Sequence, residues 1–235
     1  MALLMAILLP ALSSARSAAQ DLKCRTQLRA VVLKFMDFAA DSGVALRGDS
    51  KQYGEKAFRL EDFQESVYEI SEFWNGPDAQ RLPLTARSQP LMCPSGPNSL
   101  ERRSNLACSA GAIGPQNNVS IGFNRRLDTR TRYVNGAAVP GKSYLTDKIL
   151  ALPDVPLLFD VDGEEAAHRS LMPYYAAPPV VERPNDIYAT GLYWFPSFRH
   201  RGSINVGFVG GHVLGSRQPL EEPWWRWSYQ SDYYY

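Results

Sequence analysis

The first 41 residues constrain the fold most, because they read as one helix with two chemically different halves. Ala2 to Leu12 is an almost purely apolar run, broken only by Pro10. Over 21–41 the pattern becomes amphipathic. Cys24, Leu28, Val31, Phe35 and Phe38 recur at steps of 4, 3, 4 and 3, one stripe of a helix. Lys23, Arg25, Gln27, Arg29 and Lys34 lie largely off that stripe. Gly43, following Asp41 and Ser42, offers a C-terminal stop. A continuous helix of about 40 residues is about 60 Å long. Only its second half carries a stripe suited to a globular core. The 2–12 run is shorter than the roughly 20 apolar residues that cross a bilayer. It also lacks the basic stretch that precedes the apolar core of a secretory signal. It reads as the downstream part of a longer membrane helix, to be covered by lipid or by further copies of itself.

The remainder, 43–235, reads as one globular domain with an aromatic tail over 224–235. A second, acidic helix is expected where Leu60, Phe63, Val67, Ile70 and Trp74 step by 3, 4, 3 and 4, ending at Asn75-Gly76-Pro77. Glu61, Asp62, Glu65, Glu69 and Glu72 form its other face, which reads as solvated. Gly and Pro concentrate after residue 75, the sign of a turn-rich, strand-bearing rear. Strand signals are Val119–Phe123, Val155–Val161 and the run Ile204–Leu214. In that run Gly210-Gly211 suits a two-residue type I′ turn, pairing Val209 with His212 and Phe208 with Val213. Such a register puts Ile204, Val206, Phe208 and Val213 on one face, toward the long helix. The fold class is therefore α+β, a long N-terminal helix packed on an antiparallel sheet.

A formal net charge of +1 gives no electrostatic footprint for nucleic acid. The local run Arg125, Arg126, Arg130 and Arg132 reads as a solvated loop, with an anionic-ligand patch as the rival. Three cysteines, Cys24, Cys93 and Cys108, are too few for a disulfide scaffold, and their spacings match no zinc signature. Cys24 reads as a small buried hydrophobe. Cys93 and Cys108 are the pair available for a disulfide in an oxidising compartment.

These pieces resemble the bacterial type IV pilin-like proteins related to type II secretion pseudopilins, in the group with a C-terminal H-x9-D-G motif. Ala2 to Arg16 resembles the latter part of that family's membrane helix. Cys24-Arg-Thr-Gln-Leu-Arg29 is similar to its C-x-x-x-L-R segment, and Cys93-Pro-Ser95 to its C-P-S element. His200, nine residues, then Gly210-Gly211-His212-Val213 resembles H-x9-D-G-H-V, with Gly210 in place of the Asp. The family's basic leader, the Phe after its cleavage point and its early Glu have no counterpart. Met1 thus falls inside the apolar helix, and the natural start is expected upstream. The resemblance implies a non-enzymatic subunit of a secretion, adhesion or surface assembly. It would be anchored in the inner membrane facing the periplasm, or lie at the cell surface, with like subunits as partners.

Two other classes compete. One is a membrane-anchored, extracytoplasmic ligand- or glycan-binding module using Trp224, Trp225 and Trp227, since aromatic clusters suit sugar stacking; their plainer role is to cover the sheet. The other is a metal-dependent hydrolase on His168, His200 and His212 with Asp160 and Asp162. Asp160, Asp162 and Glu164 also resemble part of a calcium loop, with oxygen ligands at alternating positions. The plainer reading there is a polar strand end, and no cofactor is expected. Signatures of serine hydrolases, phosphate loops and dinucleotide folds are absent from the sequence.

Overall fold

The computed structural model describes residues 2–41, 57–68, 91–96, 119–169, 174–179, 193–231 and 233–234. Helix α1 runs unbroken from Ala2 to Ala40, with Pro10 inside it. All five stripe residues, Cys24, Leu28, Val31, Phe35 and Phe38, are buried. Lys23, Arg29 and Lys34 are exposed. The N-terminal part does not fold back on the domain: Leu8, Leu9 and Leu12 are 64%, 67% and 68% exposed. Among the described residues, no helix is long and apolar enough to cross a membrane.

Helix α2 covers Leu60–Tyr68, so Ile70, Trp74 and the predicted stop lie outside the described residues. Its start is fixed by Asp62, whose carboxylate accepts the Arg59 backbone N–H at 2.8 Å and pairs with the Arg59 side chain. This is the reciprocal logic of a capping box. One of the expected solvated acids is therefore a buried capping group. Leu60 and Phe63 pack inward as their spacing predicts.

Among the described residues eight strands follow: β1 Ile121–Asn124, β2 Thr129–Val134, β3 Ala137–Tyr144, β4 Pro156–Asp160, β5 Tyr175–Ala176, β6 Ile204–Phe208, β7 Val213–Ser216 and β8 Tyr233–Tyr234. A short helix α3, Gly163–His168, lies between β4 and β5. Five strands form a sheet in the order β5-β1-β4-β6-β7, and β2-β3-β8 form a second, smaller one. The main sheet is mixed, not wholly antiparallel as expected, because β5 joins β1 in parallel. The α+β class stands.

Residues paired across neighbouring strands share a face. Ile121 with Asp160, Phe123 with Leu158, and Leu158 with Gly207 therefore build the face toward α1. A Cβ on Gly207 would lie 2.9 Å from Val32 Cγ2, so the missing side chain is what lets α1 approach. The opposite face carries Phe159, paired with Val206. Ile204, Val206 and Phe208 thus point away from the helix, opposite to the expected orientation. They meet the C-terminal aromatics instead: Phe208 packs edge-on to Trp225 at 5.1 Å, and Phe159 to Trp227 at 5.3 Å.

The β6–β7 hairpin departs from the expected register by one residue. Gly207 pairs with Val213 and Val206 with Leu214, which moves Val213 to the helix side. The cause is a competing acceptor: the Val209 N–H bonds to Val155 O at 3.0 Å and is not free for His212. The loop is then Val209-Gly210-Gly211, closed by Phe208 N–H to His212 O at 3.0 Å, with only Gly211 at positive φ (+90°). Such a three-residue loop ends in a left-handed residue. Gly210 is needed for space, since a Cβ there would lie 2.5 Å from Pro153 Cβ and 2.7 Å from its Cα. Restoring an Asp at this position is therefore unfavourable, contrary to the turn chemistry read from sequence. Gly210→Asp is expected to destabilise by about 1–3 kcal/mol through overpacking against backbone. An unchanged or raised melting temperature would show that Pro153 yields freely.

The type I′ turn lies elsewhere, at Asn135-Gly136 between β2 and β3, with φ of 51° and 79° and Val134 paired to Ala137. Three of the four arginines in the run make structural contacts, and Arg132 is exposed as a solvated position. Arg126 is fully buried and donates to Pro178 O at 3.0 and 2.7 Å, and Arg130 donates to Ser231 O. Arg125 lies over the rings of Tyr175 and Tyr193.

Candidate functional site

Four side chains from four separate segments meet beneath α1. Cys24 comes from the buried stripe of that helix. Cys93 opens a tight turn closed by Gly96 N–H to Cys93 O at 2.8 Å. Asp160 is the last residue of β4, on the helix-facing side. His200 precedes β6, held by two backbone hydrogen bonds with Ser203 across Arg201 and Gly202, which take φ of 55° and 80°. Two consecutive left-handed residues make a sharp reversal that turns the imidazole inward.

The contacts are mutual. Cys24 Sγ is 3.4 Å from Asp160 Oδ1, Cys93 Sγ 3.2 Å from His200 Nε2, and His200 Nε2 3.4 Å from Asp160 Oδ2. One ligand atom from each of the four lies within 4.8 Å of all the others, and all four residues are buried. Outside this ring, Asn205 N–H donates to Asp160 Oδ2 at 2.8 Å and Ser95 N–H to Cys93 Sγ at 3.4 Å. Arg199 stands 3.8 Å from Asp160 Oδ1. On its far side the imidazole Nδ1 is 3.3 Å from Asp21 Oδ1, which also accepts from Asn205 Nδ2 at 2.8 Å and pairs with Arg25.

This crowding separates the two thiols in acidity. The hydrogen bond from Cys24 and, against the opposing effect of burial, that from His200 bring Cys93 down to about 5. Cys24 is raised by the same bond to Cys93, by burial and by Asp160. Burial alone would lower His200, but its hydrogen bonds to Asp160 and Cys93 outweigh that and hold it up at about 10. These opposed shifts favour the proton on Cys24 and negative charge on Cys93. Thiolate, imidazole and carboxylate are the donor types of structural and catalytic zinc sites.

Of the sequence-derived candidates, the structure brings together Cys24, Cys93, Asp160 and His200. Cys93 is a free thiol and Cys108 lies outside the described residues. The calcium-type trio does not assemble: Asp160 faces the thiols, whereas Asp162 Oδ1 caps α3 by accepting the N–H groups of Glu164 and Glu165. Glu164 is exposed on that helix. His212 does not join His200, since it stacks on Phe208 at 4.6 Å near the hairpin loop, and the His168 side chain lies outside the described residues. Among the three tail tryptophans, Trp227 is buried and donates to Pro219 O, Trp225 is half-buried, and only Trp224 is exposed, at 78%. Trp225 and Trp227 pack on Phe208 and Phe159 of the sheet, whereas Trp224 does not contribute to that cover. Compared with protein families, curated proteins and solved structures, the chain matches none.

Proposed function

We propose that this chain is a non-enzymatic, pilin-like subunit of a bacterial cell-envelope assembly for secretion, adhesion or surface display. Its first dozen residues would engage the membrane and the equivalent helices of like subunits. The observation that carries this reading is the asymmetry of α1. Its second half is locked onto the sheet by a buried stripe, while Leu8, Leu9 and Leu12 remain exposed on a projecting, apolar end. An apolar surface of that kind marks an interaction site for lipid or protein. The convergence of Cys24, Cys93 and His200 adds support, because those residues come from three of the separate segments on which the family resemblance rests.

The full chain is expected to aggregate or to require detergent, and deletion of residues 1–20 to yield a soluble monomer with the same cooperative unfolding. Sedimentation with and without detergent separates the outcomes. A full-length chain that is monomeric in plain buffer would overturn the anchor and the assembly role together.

A further inference from the structure

We propose that Cys24, Cys93, Asp160 and His200 form a tetrahedral site for a zinc ion that clamps α1 to the sheet. With Zn–S bonds of about 2.3 Å and Zn–N and Zn–O bonds of about 2.0 Å, the ligand atoms of a tetrahedron stand about 3.3–3.8 Å apart. Cys93 Sγ to His200 Nε2 at 3.2 Å and His200 Nε2 to Asp160 Oδ2 at 3.4 Å lie at or just below that range, and Cys24 Sγ stands 3.4 Å from the other carboxylate oxygen, Oδ1. Hydrogen bonding alone accounts for the arrangement less well. His200 Nε2 faces both Cys93 Sγ and Asp160 Oδ2, and a single N–H can serve both only by being divided between them. A shared central cation satisfies both.

The surroundings complete the chemistry. Two thiolates and one carboxylate bring three negative charges to an ion carrying two positive ones, and Arg199 beside Asp160 offsets the remainder. Asp21 at the other imidazole nitrogen makes the carboxylate–histidine–metal arrangement that orients such ligands. The backbone N–H groups of Ser95 and Asn205 stabilise the sulfur and the carboxylate from outside. The consequence for architecture is specific. Cys24 is the one ligand on α1, so the ion would fix the helix against the sheet close to where its projecting part begins.

The test uses the full chain, reduced, stripped with a chelator and kept in detergent where needed. Titration with Co2+ should saturate at one equivalent and give a thiolate-to-cobalt charge-transfer band with the intense visible bands of tetrahedral Co2+. One equivalent of Zn2+ should bleach both. Cys93→Ser and His200→Gln should abolish the tetrahedral spectrum. Asp21→Asn, a positioning change, should retain that spectrum with affinity lowered about 10–100-fold, and His212→Asn should leave it unchanged. Folded, reduced wild-type protein that shows no thiolate–cobalt band would overturn the proposal whatever the variants do. That result does not depend on whether the N-terminal end meets a membrane, so this proposal and the assembly role fail separately.

Discussion

Phe35→Ala is expected to destabilise the domain by about 3–5 kcal/mol. The side chain is fully buried in the middle of the α1 stripe. Its ring meets Phe58 at 5.9 Å and Phe63 at 5.2 Å, both edge-on, and Phe63 continues the chain of rings to Phe123 of β1 at 6.0 Å. Truncation therefore opens a hole where α1, α2 and the main sheet converge, and it also removes two favourable edge-to-face contacts. None of the three elements can close in without moving away from another, so the cavity contribution should be large. Denaturant unfolding is the measurement, with the loss appearing in the midpoint at an unchanged slope. Leu33→Ala, two residues away but 46% exposed, serves as the contrast and should shift stability far less. A loss below about 1 kcal/mol at Phe35 would mean that α1 is not docked through this stripe.

The same stripe explains what could be read from sequence. A helical period repeated over four steps survives any tertiary context, and every residue it singled out on α1 is buried. Strand positions around 119–123, 155–161 and 204–214 were legible as well, because β-branched and aromatic runs bounded by Gly and Pro have few alternatives. Register was not legible. The β6–β7 pairing hinges on the Val209 N–H, and its partner Val155 is remote in sequence and carries no local mark. The slip moved Val213 to the other face, and which face of β6 meets α1 was decided separately, by Gly207 against Val32. The β2–β3 hairpin did carry a clear local signal, Asn135-Gly136 between extended runs, and a search for that pair locates it. The cluster around His200 had no such signal. Zinc spacing rules describe ligands that arrive in close pairs, whereas these four come singly from a helix, a turn, a strand end and a loop. Each residue alone has a plainer explanation, and only the packing of α1 on β4 and β6 brings them within bonding reach. The tail tryptophans were opaque for a related reason. Outside regular structure there is no period to say which ring turns inward.

Asp160→Ala is expected to cost about 3–5 kcal/mol even with a chelator present, so that no contribution from a bound metal enters. The carboxylate is fully buried, and three polar groups depend on it. Asn205 N–H donates to Oδ2 at 2.8 Å, the His200 ring nitrogen lies 3.4 Å from the same oxygen, and Cys24 donates to Oδ1 at 3.4 Å. Arg199 adds a guanidinium at 3.8 Å. Alanine leaves the Asn205 N–H without its acceptor and removes the negative charge that faces His200 and Arg199. A buried pair that loses one member leaves the other uncompensated, which costs far more than the pair itself contributes. Asp160→Asn divides the effect. Its amide oxygen can still accept the Asn205 N–H in the same space, so the charge and the acceptor facing Cys24 are lost but that bond is kept, and the expected cost falls to about 1.5–3 kcal/mol. Urea unfolding of the two variants with chelator gives the order wild type, Asn, Ala. Equal stabilities for Asn and wild type would show that the charge on Asp160 holds nothing together. The cluster would then be a set of neutral hydrogen bonds rather than the anionic centre to which His200, Arg199 and a cation are drawn.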